Sequence, residues 1–346
     1  MPPAGPPVLA VAGVANAIDD VAARCTPAGF LRASWYRAAL NAYGGRDPRS
    51  FVAYDAAGHA AIALPLVGVG PAALGLAATP GCYWPFRAFP IADDAPAGLL
   101  RALLRRVAAQ VRAWRMGPVN GDDPLLARLR AEAPAAGWRL IERTVARRFV
   151  LDIAALRAEG TWPRGSTLKK NRFHEKHLAA HGAPGWSFHS GADWTARLID
   201  DLGAIEAESW IATRTEGADA KFHNSAHELF WREVAGDPAI AAMMHVALLR
   251  IGGRPAAFSF DLDVGATRYA IANSYDPAFA RHSPGKLLQY RNLEQAVARG
   301  IARVDWGAGD SGYKRVIGAV EAAPIVDCLF VREGLGAGIA ARMWGG

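Results

Sequence analysis

The stretch that most constrains the fold of this 346-residue chain is residues 274–314. A hydrophobic strand over 267–273 leads into a basic, glycine-containing turn, a helix over 287–299 and a second strand over 301–306. The start of such a helix favours an anion, because it presents free backbone N–H groups and the positive end of the helix dipole. The pattern therefore predicts a phosphate-binding turn. Taken alone, the turn also fits an ordinary strand-to-helix connection with solvated cations.

The residue types in the turn fit anion binding. Pro284 suits the first turn of a helix, where its missing N–H would have no partner. Gly285 lets the backbone come close to a ligand, and Arg281 and Lys286 add positive charge on either side. The predicted anion-binding set is Tyr275, Arg281, Ser283, Pro284, Gly285, Lys286 and Leu287.

The composition agrees with an anionic ligand and indicates a soluble globular chain. The net charge is +7 and the pI is about 9.5, which favours anionic partners of several kinds. Cys25, Cys82 and Cys328 lack metal-ligand spacing and cannot all pair, so they predict reduced thiols in a cytoplasmic protein without a metal. Prolines and glycines break the apolar run 60–78, which predicts two strands and a loop rather than a membrane span.

An internal repeat indicates two similar halves. Leu99 and Leu287 are 188 residues apart, and so are Gly121 and Gly309. A constant offset over a helix and the strand that follows it indicates a duplicated fold. A chance likeness of two Ala- and Leu-rich helices is the alternative.

The two copies differ in charge. Residues 93–94 are both Asp near the place where the second copy has Arg281, and residues 125–126 are both Leu where the second copy has Tyr313 and Lys314. We therefore expect the second copy to bind the anion, and the first to be structural or to bind the acceptor.

Several patches carry a family resemblance. The sequence SPGKLL at 283–288 and the pattern D-x-G-x-G-D-x-x-Y-K at 305–314 resemble GNAT acetyltransferases of the cellulose-biosynthesis group, which are relatives of the Fem-type aminoacyltransferases. The patches FLxxSW at 30–35, KKNR at 169–172 and ESW at 208–210 are similar to the same group. The resemblance implies a bacterial α/β protein with mixed sheets in a tandem GNAT-like (double acyltransferase) fold. It also implies acyl-CoA, such as acetyl-CoA, as co-substrate.

The predicted domains follow from the repeat and the resemblance. We expect an N-terminal GNAT-like domain over 1–158, separated by the break at 160–165 from a C-terminal GNAT-like domain over 159–320 that carries the donor site. Residues 321–346 are expected to form a strand and tail that pack back on the N-terminal domain.

The catalytic candidates lie beyond the second strand. Direct acyl transfer needs a held donor, a polarised carbonyl, an amine that loses a proton and a thiolate that gains one. The resemblance makes Tyr313 the proton donor, with Lys314 neutralising the phosphate or the oxyanion. A packed aromatic and a solvated lysine are the alternatives. The full candidate set is Tyr313, Lys314, Asp310, Asp305 and Glu208, in which the acids are candidate bases and Asp310 is alternatively a turn cap.

Three functions stay open on the sequence. The first is an acyl-CoA-dependent N-acyltransferase that acts on an amine or hydroxyl of a small molecule or polymer precursor. The second is an aminoacyl-tRNA-dependent enzyme of Fem type, because the predicted basic helix 168–181 also suits an RNA backbone, although a solvated helix face explains it as well. The third is a non-catalytic module that binds RNA or a partner. The aromatic stretch 82–89 and the helix 194–210 are candidate walls for the acceptor, and the oligomeric state is left open.

Overall fold

The computed structural model describes residues 8–82, 86–214, 219–223, 226–309 and 312–334, together with residues 338, 342 and 344. The chain forms two compact units. Unit 1 comprises residues 1–148 and 322–346, and unit 2 comprises residues 149–321.

The first part of the chain alternates strands and helices. In order, its elements are β1 Val8–Ala12, α1 Ala17–Ala23, α2 Ala33–Tyr43, β2 Arg46–Tyr54, β3 Ala60–Gly68, β4 Leu76–Ala78, α3 Ala97–Ala108, β5 Ala113–Asn120, α4 Pro124–Glu132 and β6 Trp138–Asp152.

The second part is richer in helices. Its elements are α5 Ile153–Ala158, α6 Gly165–Leu178, β7 Pro184–Ser190, α7 Ala196–Glu208, α8 Trp210–Arg214, α9 Ala226–Val234, α10 Pro238–Met243, β8 Met244–Ile251, β9 Arg254–Val264, β10 Thr267–Tyr275, α11 Pro284–Ala298, β11 Arg303–Ala308, α12 Tyr313–Ile317 and β12 Val320–Arg332.

Each unit contains the same run of five strands. In unit 1 the order is β1-β2-β3-β4-β5 and in unit 2 it is β7-β8-β9-β10-β11. The first three pairings in each run are antiparallel and the fourth is parallel. A parallel pair needs a crossover, and α3 supplies it in unit 1 as α11 does in unit 2. Each unit therefore repeats one supersecondary plan.

Helix α3 shows how the core of unit 1 forms. Its buried residues recur every three or four positions, as expected for a helix with one apolar face: Leu99, Leu100, Leu103, Leu104 and Val107. Unit 1 also packs aromatic rings, and Trp114 of β5 stacks on Phe330 of β12 with ring centroids 4.1 Å apart.

Helix α11 is the central helix of unit 2 and is buried around most of its surface. Leu287 and Leu288 pack into one apolar cluster, while Tyr290 and Leu293 pack into a second. The helix begins at Pro284, one turn earlier than the sequence predicts, because the proline itself occupies the first helical position.

The apolar run 60–78 forms β3, a short 3₁₀ turn and β4, as predicted. Among the described residues, no helix is long and apolar enough to cross a membrane.

Candidate functional site

The parallel strands β10 and β11 open beside the predicted turn. They pair in register only over Thr267–Tyr269 and Arg303–Asp305, although β10 continues to Tyr275. A bulge near Ile271 also shifts the register of β10 against β9. Bulges bend a strand and are frequent beside active sites. β10 thus continues for six residues beyond the end of its pairing with β11, toward the start of α11.

Ser283 turns the chain into α11. A 3₁₀ segment at 277–282 begins where the Asp276 carboxylate accepts the N–H of Ala278 at 2.8 Å. Ser283 then adopts φ +52° and ψ +48°. This left-handed conformation is uncommon for a residue other than glycine and is concentrated at functional sites. It lets Pro284 begin the helix directly, and the N–H groups of Lys286 and Leu287 donate back to the Ser283 carbonyl oxygen.

Gly285 is needed for a contact inside the protein. A Cβ atom there would come within 3.2 Å of both Asn273 Oδ1 and Tyr275 Cδ1. The missing side chain lets α11 pack tightly on β10, and the close approach of a ligand to this glycine stays a prediction. Tyr275 packs against the helix start and does not line the cavity described next.

A cavity of about 570 Å³ lies beside the start of α11. Three parts of unit 2 enclose it: α6 with the residues just before it, the first two turns of α11, and α12. Its lining residues are Trp162, Arg164, Ser166, Thr167, Lys170, Asn171, Phe173, His174, Ser283, Lys286, Leu287, Tyr290, Tyr313, Val316 and Ile317.

The cavity combines apolar and aromatic walls with cations. Trp162 and Tyr290 stack with ring centroids 5.5 Å apart. Burial raises the pKa of Tyr290 to about 12, so its hydroxyl stays protonated. Lys170 and Lys286 are exposed at the cavity and have no carboxylate partner in the part of the chain that the structure describes. Unpaired lysines beside a helix N-terminus can bind an anion.

Tyr313 is the first residue of α12 and reaches this cavity. Its side chain is half-buried, and its ring lies 5.6 Å from that of Trp306. The structure thus brings Tyr313 together with Ser283, Lys286 and Leu287 of the predicted anion-binding set.

Lys314 is buried and turned into the protein. Its ammonium donates to the carbonyl oxygens of Trp306 at 2.7 Å, Ala308 at 2.9 Å and Gly309 at 2.8 Å. An ammonium has three N–H donors, so these three contacts can use all of them. Lys314 does not line the cavity, and this geometry favours a role in holding the end of β11 over neutralising a phosphate or an oxyanion.

The candidate acids lie away from the cavity or outside the described residues. Asp305 is fully buried, and its carboxylate accepts the N–H of Gly307 at 2.9 Å. Glu208 is exposed at the end of α7. Asp310 lies outside the described residues. The buried glutamate of this helix is Glu206, which accepts backbone N–H groups from Lys221 and Phe222.

Other predicted residues are placed elsewhere. Arg281 is exposed, and its Nε donates to Nε2 of His282 at 3.1 Å instead of lining the cavity. In the aromatic stretch 82–89, residues 83–85 are outside the described part, while Phe86 and Phe89 are buried in unit 1.

Sequence reasoning missed the contribution of α6. Thr167, Lys170, Asn171 and His174 line the cavity at a spacing that places residues on one side of a helix. That polar stripe is visible in the sequence, but nothing local indicates that it faces α11. Trp162 was also missed: it lies in the segment predicted as a linker, yet it is buried.

Unit 1 has a smaller cavity at the matching place. It measures about 220 Å³, and Leu125 and Arg128 are among its lining residues, each 188 positions before Tyr313 and Val316. The guanidinium of Arg128 donates to the carbonyl oxygens of Ala95 at 2.6 Å and Ala92 at 3.4 Å. In unit 1 the turn before the helix is therefore already bonded to a cation of the protein.

The part of the chain that holds the opened parallel pair and the cavity resembles a known protein family. Residues 165–315 match the family model described as acetyltransferase (GNAT) domain. Unit 2 therefore carries a GNAT acetyltransferase domain, and the protein is an acyltransferase. No curated protein matches the chain.

Solved structures share the fold over nearly the whole chain. FemX is similar with a TM-score of 0.60 at 12% identity, covering 97% of this chain and 99% of FemX. A conserved protein of unknown function from Bacteroides thetaiotaomicron is similar with a TM-score of 0.59 at 13% identity, and the match covers 94% of this chain and 100% of that protein. The C-terminal domain of a putative lysylphosphatidylglycerol synthetase from Agrobacterium fabrum is similar with a TM-score of 0.54 at 15% identity. That match covers 94% of this chain and 95% of the domain. The predicted tandem GNAT-like fold is thereby confirmed.

Proposed function

We propose that the protein is an acyl-CoA-dependent N-acyltransferase that moves an acetyl or longer acyl group directly onto an amine or hydroxyl acceptor. The observation that carries the proposal is the unit 2 cavity, where a helix start and two lysines lie beside apolar walls and Tyr313. Within the described part of the chain, neither lysine has a carboxylate partner. The resemblance to the cellulose-biosynthesis group, a bacterial source and a cytoplasmic location belong to the same proposal. Three buried free thiols support the location.

The donor is held by charge at one end and by apolar contact along its arm. The ammonium groups of Lys170 and Lys286 bind the phosphates, together with the N–H of Gly285 and the positive end of the α11 dipole. Pro284 has no N–H, and the N–H groups of Lys286 and Leu287 donate to the Ser283 carbonyl oxygen at 3.0 and 3.1 Å. Leu287, Ile317 and the Trp162–Tyr290 pair contact the less polar arm. A mostly apolar cavity with a few convergent polar groups is typical of cofactor sites.

The chemical step balances with one proton moved to sulfur. The acceptor amine attacks the thioester carbonyl, a C–N bond forms, the C–S bond breaks, and the departing thiolate takes a proton from the Tyr313 hydroxyl. Unperturbed phenol and thiol pKa values are about 10 and about 8.5, so this transfer is uphill by about 2 kcal/mol. The proton lost by the amine leaves through water and restores the tyrosine.

Lys314 supports this step indirectly. Its bonds to three carbonyls fix the chain between the end of β11 and α12, and this fixes the backbone that carries Tyr313. We assign it as a positioning residue. Asp305 and Glu208 do not line the cavity, so the proposal gives neither of them a step.

The second candidate is an aminoacyl-tRNA-dependent transferase of Fem type. The fold shared with FemX and the exposed cations of α6 favour it. Transfer of a labelled amino acid from charged tRNA, abolished by ribonuclease, would establish it. Acyl transfer that ribonuclease does not change would exclude it. A non-catalytic binding module would keep its function in cells after Tyr313→Phe.

Calorimetry with coenzyme A tests the leading proposal. Lys286→Glu and Lys170→Glu are each expected to weaken binding about tenfold, since each replaces an attraction to phosphate by a repulsion worth about 1.4 kcal/mol. Lys169→Glu is the matched control, because Lys169 is exposed on the same helix but does not line the cavity. The affinity of the Lys169→Glu variant for coenzyme A should stay within twofold of the wild-type value. Failure of the wild-type protein to bind any acyl-CoA would end the proposal.

A further inference from the structure

The outer side of α6 carries a stripe of exposed residues with one shared feature. They recur at the spacing of a helix face and are basic or aromatic: Lys169, Arg172, Phe173 and Lys176. Phe173 is 60% exposed, which is unusual for a phenylalanine in a helix of a folded domain. We call these four residues the α6 outer stripe.

The charges of the outer stripe are not compensated inside the protein. Among the described residues, neither Lys169 nor Arg172 nor Lys176 has an ion pair. The one acid of the helix, Glu175, is bound by Arg291 at 2.6 Å. Like charges three or four positions apart destabilise a helix by about 0.2–0.5 kcal/mol per pair. An anionic partner would remove this repulsion.

The outer stripe continues into the mouth of the cavity. Phe173 belongs to the stripe and also lines the cavity, and Val316 on α12 lines the same cavity while 68% exposed. Charged groups and exposed apolar side chains thus surround one opening. Such a combination marks an interaction surface for a partner.

The three cations of the stripe lie outside the reach of a small donor. Lys170 and His174 face the cavity, whereas Lys169, Arg172 and Lys176 are not among its lining residues. A ligand held within the cavity leaves these cations unused. The partner is therefore larger than the cavity and negatively charged at its surface.

We propose that the α6 outer stripe docks an acidic carrier protein that presents the acyl group on its own phosphopantetheine arm. The idea rests on the proposed function, because the same cavity would receive the phosphopantetheine arm in both cases. In coenzyme A the arm is attached to a nucleotide, and in a carrier protein it is attached to the protein. Acidic side chains of the carrier pair with the three cations, and an apolar patch covers Phe173 and Val316. An aliphatic Val316 at the opening gives a nucleic acid backbone nothing to bind, and so a protein partner fits better than RNA.

Binding measurements at fixed low salt distinguish coenzyme A from a carrier protein as the source of the phosphopantetheine arm. The probes are coenzyme A, an acidic acyl carrier protein with its phosphopantetheine arm, the same carrier without the arm, and bulk transfer RNA. The test variant is Lys169→Glu/Arg172→Glu/Lys176→Glu. The control Arg106→Glu/Arg139→Glu/Arg303→Glu reverses three exposed charges away from α6 and matches the test variant in net charge.

The expected result is a loss of affinity for the armed carrier of at least tenfold in the test variant only, with coenzyme A affinity within twofold of wild type. The carrier without its arm should bind the wild-type protein more weakly than the armed form. Equal binding of both forms, an equal loss in the control variant, or transfer RNA as the only stripe-dependent ligand would overturn the proposal. Absent coenzyme A binding in the wild-type protein would instead count against the proposed function.

Discussion

The cavities of the two units occupy matching places in one repeated plan but differ in how the turn before the helix is treated. In unit 1 the guanidinium of Arg128 bonds to the carbonyls of Ala92 and Ala95. In unit 2 the matching residue is Val316, whose aliphatic side chain has no donor for the turn. Neither Lys170 nor Lys286 has a carboxylate partner among the described residues. In unit 1 a cation of the protein thus occupies the place beside the turn, whereas the proposed function assigns the cations beside the unit 2 turn to ligand binding.

Acidic residues sharpen the contrast. Asp93 and Asp123 line the unit 1 cavity. The carboxylate of Asp93 accepts from the hydroxyl of Thr26 at 2.6 Å, and burial raises the pKa of Asp123. No acid lines the cavity of unit 2 in the part of the chain that the structure describes. On the proposed function, the two copies therefore share a backbone plan, and only the unit 2 copy is expected to bind an anion.

The largest expected effect comes from Tyr313→Phe, which removes the hydroxyl group of Tyr313. Unit 1 has no hydroxyl at the matching position, which is Leu125. A positioned general acid contributes about 10²–10⁴-fold, so kcat should fall at least 100-fold while coenzyme A affinity stays the same. Stopped assays of acyl transfer and calorimetry measure the two quantities. A variant with wild-type kcat would remove Tyr313 from the chemical step.

Much of the unit 2 framework could be predicted from sequence, because its signals are local. Pro284 marks a helix start, and apolar runs on both sides predict the two strands of the parallel pair. The environment of Lys314 could not be predicted, since its three carbonyl partners depend on how the chain folds after β11. The role of α6 could not be predicted either. Helix α6 packs near α11, which follows it by more than a hundred residues in the sequence, and no local pattern encodes that contact.

Asp261 of unit 2 should make stability depend on pH. It is almost fully buried, accepts from Asn292 Nδ2 at 2.7 Å, and burial raises its pKa to about 6. Because the folded pKa lies above the unfolded value, its contribution to stability is complete below about pH 4 and is lost as pH rises through 6.

The unfolding free energy of wild type should therefore fall relative to Asp261→Asn by up to about 3 kcal/mol between pH 4 and pH 7. Urea titrations at several pH values measure this difference. A constant difference across the range would show that Asp261 does not titrate there.

Arg128→Ala in unit 1 should be destabilising without creating a second donor site. The change leaves two carbonyls without their cation, which costs about 1–3 kcal/mol. The acids Asp93 and Asp123 still repel phosphate, so calorimetry should find one coenzyme A site per chain, as in wild type. Thermal unfolding measures the cost, and a stoichiometry of two would contradict the contrast drawn between the units.

The smallest effects should come from a pair of tyrosines that differ in hydrogen bonding. The Tyr36 hydroxyl in unit 1 donates to the carbonyl of Ala88 at 2.8 Å. The Tyr290 hydroxyl in unit 2 lies near the backbone of Arg164 but makes no hydrogen bond of normal geometry among the described residues. Tyr36→Phe leaves a buried carbonyl unpaired and should lower the unfolding free energy by about 1–2 kcal/mol.

Tyr290→Phe removes a buried polar group that makes no hydrogen bond of normal geometry in the described part of the chain, so it should leave the unfolding free energy unchanged or raise it by up to about 1 kcal/mol. Chemical denaturation of both variants beside wild type measures the two changes under one set of conditions. A loss for Tyr290→Phe as large as that for Tyr36→Phe would mean that the Tyr290 hydroxyl is bonded in solution. The backbone of Arg164 would then be the partner that the hydroxyl reaches, and the residues just before α6 would be tied to the aromatic wall of the cavity.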